Sequence, residues 1–289
     1  MAKYGLLRET LARDPRFTFE PAPMALIETV ELAHDTSYIQ GFLRGELSPK
    51  VIRRIGFPWS EDLVRRTLAS TGGTLAAAHD ALEFRWGGTL AGGTHHAFRD
   101  AGAGFCVFND IAVAIRALQT EGRVRKVSVV DLDVHQGDGT AVIFADDPNV
   151  FTLSLHGRDN FPFRKQTSRI DVPLADGTTD REYLEALAEV LPLAFEWKPD
   201  IVFYQSGVDA LSSDSLGRLA LTHRGLQQRD EMVFTACVDA DVPCTVMLGG
   251  GYSQPVTLTV EAHANTFRAA ADAFNGSYSK PTVTGSYSK

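Results

Sequence analysis

The segment Asp131-Leu-Asp-Val-His-Gln-Gly-Asp138 gathers carboxylate and imidazole side chains directly after an apolar, β-branched run, Val127-Ser-Val-Val. On an extended chain residues two apart share a face, so Asp131, Asp133 and His135 project together while Leu132 and Val134 turn to the core. Carboxylate oxygen and imidazole nitrogen are both good zinc ligands, and Asp209, in Tyr204-Gln-Ser-Gly-Val-Asp209, supplies another from a second strand end. Three protein ligands with one position left open describe a catalytic zinc site, because a structural site wants four, usually with thiolates. Alone, the Gly-Asp and Asp-Gly pairs here would pass for ordinary turn dipeptides. Two strand ends with matched ligand types make the metal reading the stronger one.

Gly92-Gly-Thr-His-His-Ala-Phe98 sets two histidines side by side after glycines, in a chain with only 8 histidines. Imidazole titrates near neutrality, so His95 and His96 can take a proton from an activated water and deliver one to a leaving amine. Each ring needs an acceptor at Nδ1 to fix its tautomer, and Asp131 and Asp138 are available for that task. Leu248-Gly-Gly-Gly-Tyr252 reads as a flexible turn before a packed tyrosine. It reads equally as close backbone approach to a substrate, with Tyr252 donating to a developing oxyanion. Gly102-Ala-Gly-Phe-Cys-Val-Phe108 is ordinary core packing or, at Phe105, one wall of a narrow apolar tunnel.

These residues need elements to hold them. Val127–Asp133, Val150–Leu155, Ile201–Gln205 and Cys244–Leu248 are short, apolar and bounded by Pro, Gly or Asp, as buried parallel strands should be. Residues 61–83, 108–120, 181–197 and 222–240 carry helical periodicity, the last opened by Thr222 as an N-cap. Alternating strands and helices define an α/β fold with a mostly parallel sheet. The candidate chemistry (131–138, His156, Asp209, Tyr252) follows these strands directly, where open α/β sheets place their ligand crevice. Four strands aiming at one rim argue for an enzyme.

The 289-residue chain is 44% hydrophobic and 22% charged, which fits a globular protein and excludes a disordered one. No apolar run approaches the ~20 residues that span a bilayer, and the N-terminus lacks the h-region of a signal peptide. Cys106, Cys237 and Cys244 are odd in number and scattered, which argues for a reducing cytoplasm. The net charge of −8 disfavours nucleic-acid binding and mildly favours cationic substrates. Residues 1–275 are expected to form one catalytic domain. Residues 276–289, which repeat Gly-Ser-Tyr-Ser-Lys, are expected to be a disordered tail.

GGTHHAF, GAGFCVFND, DLDVHQGDGT, SLH, SGVDAL and LGGGY occur here in the order and spacing of the zinc-dependent histone deacetylase family, which the chain resembles over residues 1–273. Ser213–Thr222 and the following QQRDEMVF look most like the class IV branch and its bacterial relatives. The resemblance implies a single-domain arginase/deacetylase-type α/β fold and a hydrolase that removes acyl groups, acetyl foremost, from lysine on proteins or from a small acetylated amine. It implies one zinc ion per chain on Asp133, His135 and Asp209. His95 then matches the general base, His96 the second histidine, Asp131 and Asp138 their carboxylate partners, and Tyr252 the oxyanion donor. Gly104 matches the glycine whose carbonyl accepts from the acyl-lysine nitrogen, with Phe105 and Phe161 as tunnel walls. Asp131, Asp133, His135, Ser154 and Leu155 match the positions that bind a monovalent cation, K+. Relatives carry a strand and rim loop reading like His-x-x-Pro-Met-x-Lys-Tyr where this chain opens at Met1-Ala-Lys-Tyr, so that segment is expected to be missing.

Two rival readings exist. A binuclear ureohydrolase of the same fold needs Asp-x-His-x-Asp and Asp-x-Asp, whereas Gly137-Asp138 and Val208-Asp209-Ala210 stand here. A non-catalytic acyl-lysine-binding module would need neither the histidine pair nor Tyr252.

Overall fold

The four β-branched runs become the middle of a sheet: β3 (Val127–Asp131), β4 (Val150–Gly157), β6 (Ile201–Gln205) and β7 (Cys244–Met247), every residue of them buried. Burial on both faces is what allows these strands to be continuously apolar. Side chains alternate between the faces. Val127, Val129, Ile201 and Phe203 enter one core cluster, while Val130, Val202 and Tyr204 enter the other. Four further strands flank them: β1 (Thr18–Pro21), β2 (Trp86–Thr89), β5 (Ile170–Leu174) and β8 (Thr282–Gly285). The order is β1-β8-β2-β7-β6-β3-β4-β5, parallel throughout. This computed structural model describes residues 2–274 and 282–285.

The strand β8 differs from the expectation that residues 276–289 are disordered. Its backbone lies between β1 and β2, with Val283 in register with Phe19 on one side and Gly88 on the other. Unpaired N–H and C=O groups on two parallel strands, one strand-width apart, are satisfied by an inserted backbone whatever its side chains. Composition carries no trace of that requirement. The rest of 276–289 lies outside the described residues.

The expected helices are α5 (Glu61–Phe84), α6 (Asp110–Thr120), α8 (Asp180–Glu196) and α9 (His223–Asp239). Their starts are set by side-chain caps: Ser60 accepts from Leu63 N, Asn109 from Ala112 N and Thr222 from Gly225 N, at 3.0, 2.9 and 3.0 Å. Additional helices are α1 (Ala2–Leu11), α3 (Thr36–Leu43) and α10 (Val256–Phe274), with short turns α2 (Ile27–Val30), α4 (Pro49–Ile55) and α7 (Asp138–Ile143). Helix α10 opens on Val256-Thr-Leu-Thr-Val260, whose β-branched residues favour extended chain, and turns a narrow polar stripe of Thr257, Glu261, Arg268 and Asp272 outward. Helices α1, α8, α9 and α10 pack on one sheet face, and α3, α5 and α6 on the other. Among the described residues no helix is long and apolar enough to cross a membrane. What matters for function is the C-terminal rim, where β2, β3, β4, β6 and β7 all deliver their following loops.

Candidate active site

Strand β3 stops at Asp131, yet the alternation continues past it. Leu132 and Val134 are fully buried in the core, while Asp133 and His135 turn the other way. Asp209 arrives from the end of β6. Its Oδ1 accepts from Val134 N at 2.9 Å, which ties the two strand ends together. Asp133, His135 and Asp209 thereby offer three ligand atoms within 4.8 Å of one another, a group that can hold a metal ion. His135 Nδ1 lies 3.0 Å from Asp133 Oδ1 and 3.1 Å from Asp209 Oδ2.

The electrostatics of this trio suit a cation. Burial opposes a charge on His135, but hydrogen bonds to Asp133 and Asp209 and their charges outweigh it and push the imidazole up to about 10. Burial and the neighbouring Asp133 charge push Asp209 up to about 6. Two carboxylates held out of water repel each other, and a divalent ion between them removes that penalty. The glycine loop after β7 completes the cradle. Gly250 N donates to Asp133 Oδ2 at 2.7 Å, and a Cβ at Gly250 would lie 1.8 Å from Asp209 Oδ2, so no other residue fits.

His95 and His96 follow β2, with ring centroids 4.1 Å apart. Each has its own carboxylate: His95 Nδ1 is 2.7 Å from Asp131 Oδ2, and His96 Nδ1 is 2.7 Å from Asp138 Oδ1. Both Nε2 atoms are thereby left toward the cavity, with His95 Nε2 4.0 Å from Asp133 Oδ1. The two rings differ in proton affinity. Burial lowers both, but for His95 the charges of Asp131, Asp133 and Asp138 prevail and raise it to about 9. His96 is held at about 4 by burial and by His95. The pair is built to carry one proton, on His95.

These groups open into a cavity of about 1060 Å³ that also reaches Gly104, Phe105, Phe161 and Tyr252. Gly104 has φ +55°, and a Cβ there would meet His96 Cδ2 at 2.6 Å. Phe161 packs edge-on against His96, and Phe105 leans on Phe57, with centroids 4.9 and 5.2 Å apart. The two aromatic rings thus stand at the same opening. Burial and the charges of Asp209 and Asp133 push the Tyr252 phenol up, which keeps it a hydrogen-bond donor. Ser154 lies opposite Asp131 in the β3–β4 ladder and its Oγ meets His156 Nδ1 at 2.9 Å, while Leu155 is fully buried.

Four supporting residues escaped the sequence reading. Asp110, at the start of α6, accepts from Gly93 N at 2.9 Å and from Thr94 N at 2.7 Å, fixing the histidine loop. Gln205 Nε2 donates to Gly93 O at 2.8 Å. Arg229, wholly buried on α9, donates to Gly207 O at 2.6 Å and Leu132 O at 3.3 Å, bracing both ligand-bearing strand ends. Lys3 Nζ sits 3.4 and 3.3 Å from Gly249 O and Gly251 O and 5.1 Å from the Tyr252 ring centre. Asn109-Asp110 closes the GAGFCVFND motif. Nothing near Arg229 or Lys3 in the chain announces their partners.

A buried carboxylate–imidazole–carboxylate group that can hold a metal ion, beside two carboxylate-backed histidines at the C-terminal rim of a parallel sheet, defines an α/β protein whose pocket has the groups for proton transfer. The chain belongs to the histone deacetylase family: residues 2–267 match the family's histone deacetylase domain. It is 44% identical over 272 residues to an uncharacterized protein of Picosynechococcus sp., covering 94% of this chain and 90% of that protein. It is 37% identical to histone deacetylase 2 of Arabidopsis thaliana, over 63% of this chain and 48% of that protein. With the acetoin utilization protein AcuC of Bacillus subtilis it shares 33% identity over 76% of this chain and 62% of that one. The fold matches the crystal structure of a histone deacetylase homologue complexed with SAHA, with a TM-score of 0.77 and 25% identity over 95% of this chain and 82% of that one. Membership of this family, which the shared fold alone would not decide, sets the ureohydrolase reading aside.

Proposed function

We propose that this protein is a zinc-dependent deacylase acting on acyl-lysine, acetyl-lysine foremost, or on a related small acylated amine. The observation that carries the reading is the joint placement of the Asp133–His135–Asp209 trio and two carboxylate-backed histidines on one cavity. A binding module needs a pocket, but it has no use for imidazoles held by carboxylates in fixed tautomers.

One zinc ion, held by Asp133, His135 and Asp209, would supply Lewis acidity toward the acyl carbonyl and make water acidic enough to lose a proton near neutrality. The chain's own residues do the rest. With a cation held on Asp133 offsetting one of the charges that keep a proton on this ring, His95 Nε2 would be free to take the proton from the attacking water, and Asp131 stabilises the imidazolium that results. Tyr252 donates to the oxyanion, a contact worth ~3–4 kcal/mol of barrier. The Gly104 carbonyl accepts the substrate amide N–H, and Phe105 and Phe161 flank the lysine stem. His96 stays neutral at its low proton affinity, so His95 is the ring that returns the proton to the departing amine. Asp138 orients His96.

The activity belongs to the unit 1–275. Asp131, Asp133, His135, Ser154 and Leu155, gathered where β3 and β4 run side by side, would hold a K+ ion. The motif set places the enzyme with the class IV-like branch. Its three thiols, all buried and unbridged, suit a cytoplasmic setting.

The test is a pair of variants assayed on an acetyl-lysine peptide with zinc measured by elemental analysis. His95→Ala should keep its zinc and lose at least ~100-fold in turnover. Asp209→Ala should lose both. Near-wild-type turnover in the first, or full zinc occupancy in the second, sinks the assignment.

A further inference from the structure

Beside the catalytic cavity lies a second one of about 600 Å³, for which the proposed mechanism has no use. The two share Gly104, Phe105, Phe161 and Phe163, so the second opens directly off the tunnel mouth. Its remaining walls carry Arg53, Arg54 and Arg164. The one carboxylate among its lining residues, Asp138, is buried and committed to His96. The whole chain is acidic, with a net charge of −8, yet this rim is locally cationic.

Arg53, Arg54 and Arg164 are exposed and form no ion pair among the described residues, which is also true of Arg13, Arg44, Arg123 and Arg224; what sets the three apart is that they line one pocket. Arg54 rests over the Phe98 ring at 5.1 Å, which positions its guanidinium without neutralising it. Cations in the last turn of a helix ordinarily serve its C-terminal carbonyls. On α4 two of those carbonyls are already taken: Gly104 N donates to Arg54 O at 3.2 Å and Phe105 N to Ile55 O at 2.8 Å. The same two bonds fix α4, and its arginines, to the tunnel wall. Helix electrostatics leave Arg164 unexplained, because it arrives from a different loop. Next to it Phe163 exposes 86% of its surface, a large apolar ring left in water at the mouth.

We infer that this pocket binds the side-chain carboxylate of an Asp or Glu flanking the acyl-lysine, with the peptide backbone passing over Phe163. The inference rests on the deacylase reading and names its substrate class: acyl-lysine in an acidic peptide context, not a cationic tail or polyamine. Successive Cα atoms are ~3.8 Å apart, so a residue one or two positions from a lysine in the tunnel reaches this neighbouring pocket. Carboxylates suit arginine forks, and the exposure of the patch makes the attraction sensitive to salt.

The experiment uses the zinc-loaded protein and end-capped acetyl-lysine peptides that differ only in flanks: Asp/Glu, Ala or Lys. At low salt kcat/KM should favour acidic over basic flanks by about tenfold, mainly through KM, and high salt should compress the difference. In R53Q/R54Q/R164Q the ratio should fall to within about twofold. In R54E/R164E, a separate variant of opposite charge, the preference should reverse toward lysine flanks. Binding of the same peptides by anisotropy is measured alongside. Acidic peptides that bind selectively but are never hydrolysed would leave the pocket standing and bring down the deacylase reading. Turnover or binding independent of the flanks, a preference untouched by the substitutions, or no binding of any peptide overturns the inference.

Discussion

Arg229 offers the sharpest test of how this fold holds its site. The guanidinium is fully buried, paired with Asp230 at 2.7 Å, and donates to the carbonyls of Gly207, Leu132 and Ser206 at 2.6, 3.3 and 3.4 Å. Leu132 immediately precedes Asp133, and Gly207 lies two residues before Asp209. Asp230 is also held by the hydroxyls of Tyr204 and Thr266. In Arg229→Met the volume is roughly kept, but a buried carboxylate loses its counter-charge and three carbonyls lose a donor. Breaking such a pair costs about 3–5 kcal/mol. Unfolding entropy for a chain of this length is about 0.6 kcal/mol/K, so Tm should fall by roughly 5–8 °C. The strand ends should loosen with it, weakening zinc retention by roughly 10–100-fold. Calorimetry reads the first effect and competition with a chelator the second. Arg229→Met/Asp230→Asn removes the stranded charge and should recover much of the lost stability while zinc retention stays poor. A single variant that melts with the wild type and holds zinc equally well refutes the reasoning.

Asp80 on α5 is half-buried, and burial with the charges of Glu20 and Glu83 pushes its carboxyl up to about 6. The folded state binds this proton more tightly than the unfolded one, so stability falls as pH rises from about 4 to 6. Asp80→Asn should therefore be more stable by about 1 kcal/mol above pH 6, after allowing for screening, with the gain vanishing below pH 4; urea melts across that range decide it. Tyr252→Phe should cut kcat by about 100–1,000-fold with little change in KM or zinc content, and a KM-only effect would exclude the oxyanion role. Lys3→Met should lower kcat severalfold at unchanged zinc content, because the Gly249–Gly251 carbonyls and the Tyr252 ring lose their anchor. Lys3→Arg should restore most of it; if both variants match the wild type, Lys3 does not position the loop.

Much of the site was legible in the sequence because its chemistry is local. Asp131, Asp133 and His135 declare themselves by alternation at a strand end, and the adjacent histidines by their rarity. The four central strands were legible because burial on both faces demands unbroken apolar runs. Strands β1, β2 and β5 were not, because Thr-Phe-Glu-Pro, Trp-Gly-Gly-Thr and Ile-Asp-Val-Pro-Leu lack such a run. Helix α10 hides because its first turn, Val256-Thr-Leu-Thr-Val260, is β-branched and resembles a strand. Asp110, Arg229 and Lys3 act on backbone atoms that sequence position does not bring near them, over separations of 16 to 248 residues, and no periodicity encodes that.

The position of β8 has a consequence for how the chain is made. Among the described residues strand β1 pairs with β8 alone, so the backbone of residues 18–21 meets this partner only once residues 282–285 have left the ribosome. At about 5–20 residues per second, that delay is on the order of 13–50 s. Through it the central strands can assemble while the β1 edge waits uncovered. A nascent chain halted before residue 282 would hold every candidate catalytic residue and still present an open strand edge to chaperones and to other copies of itself.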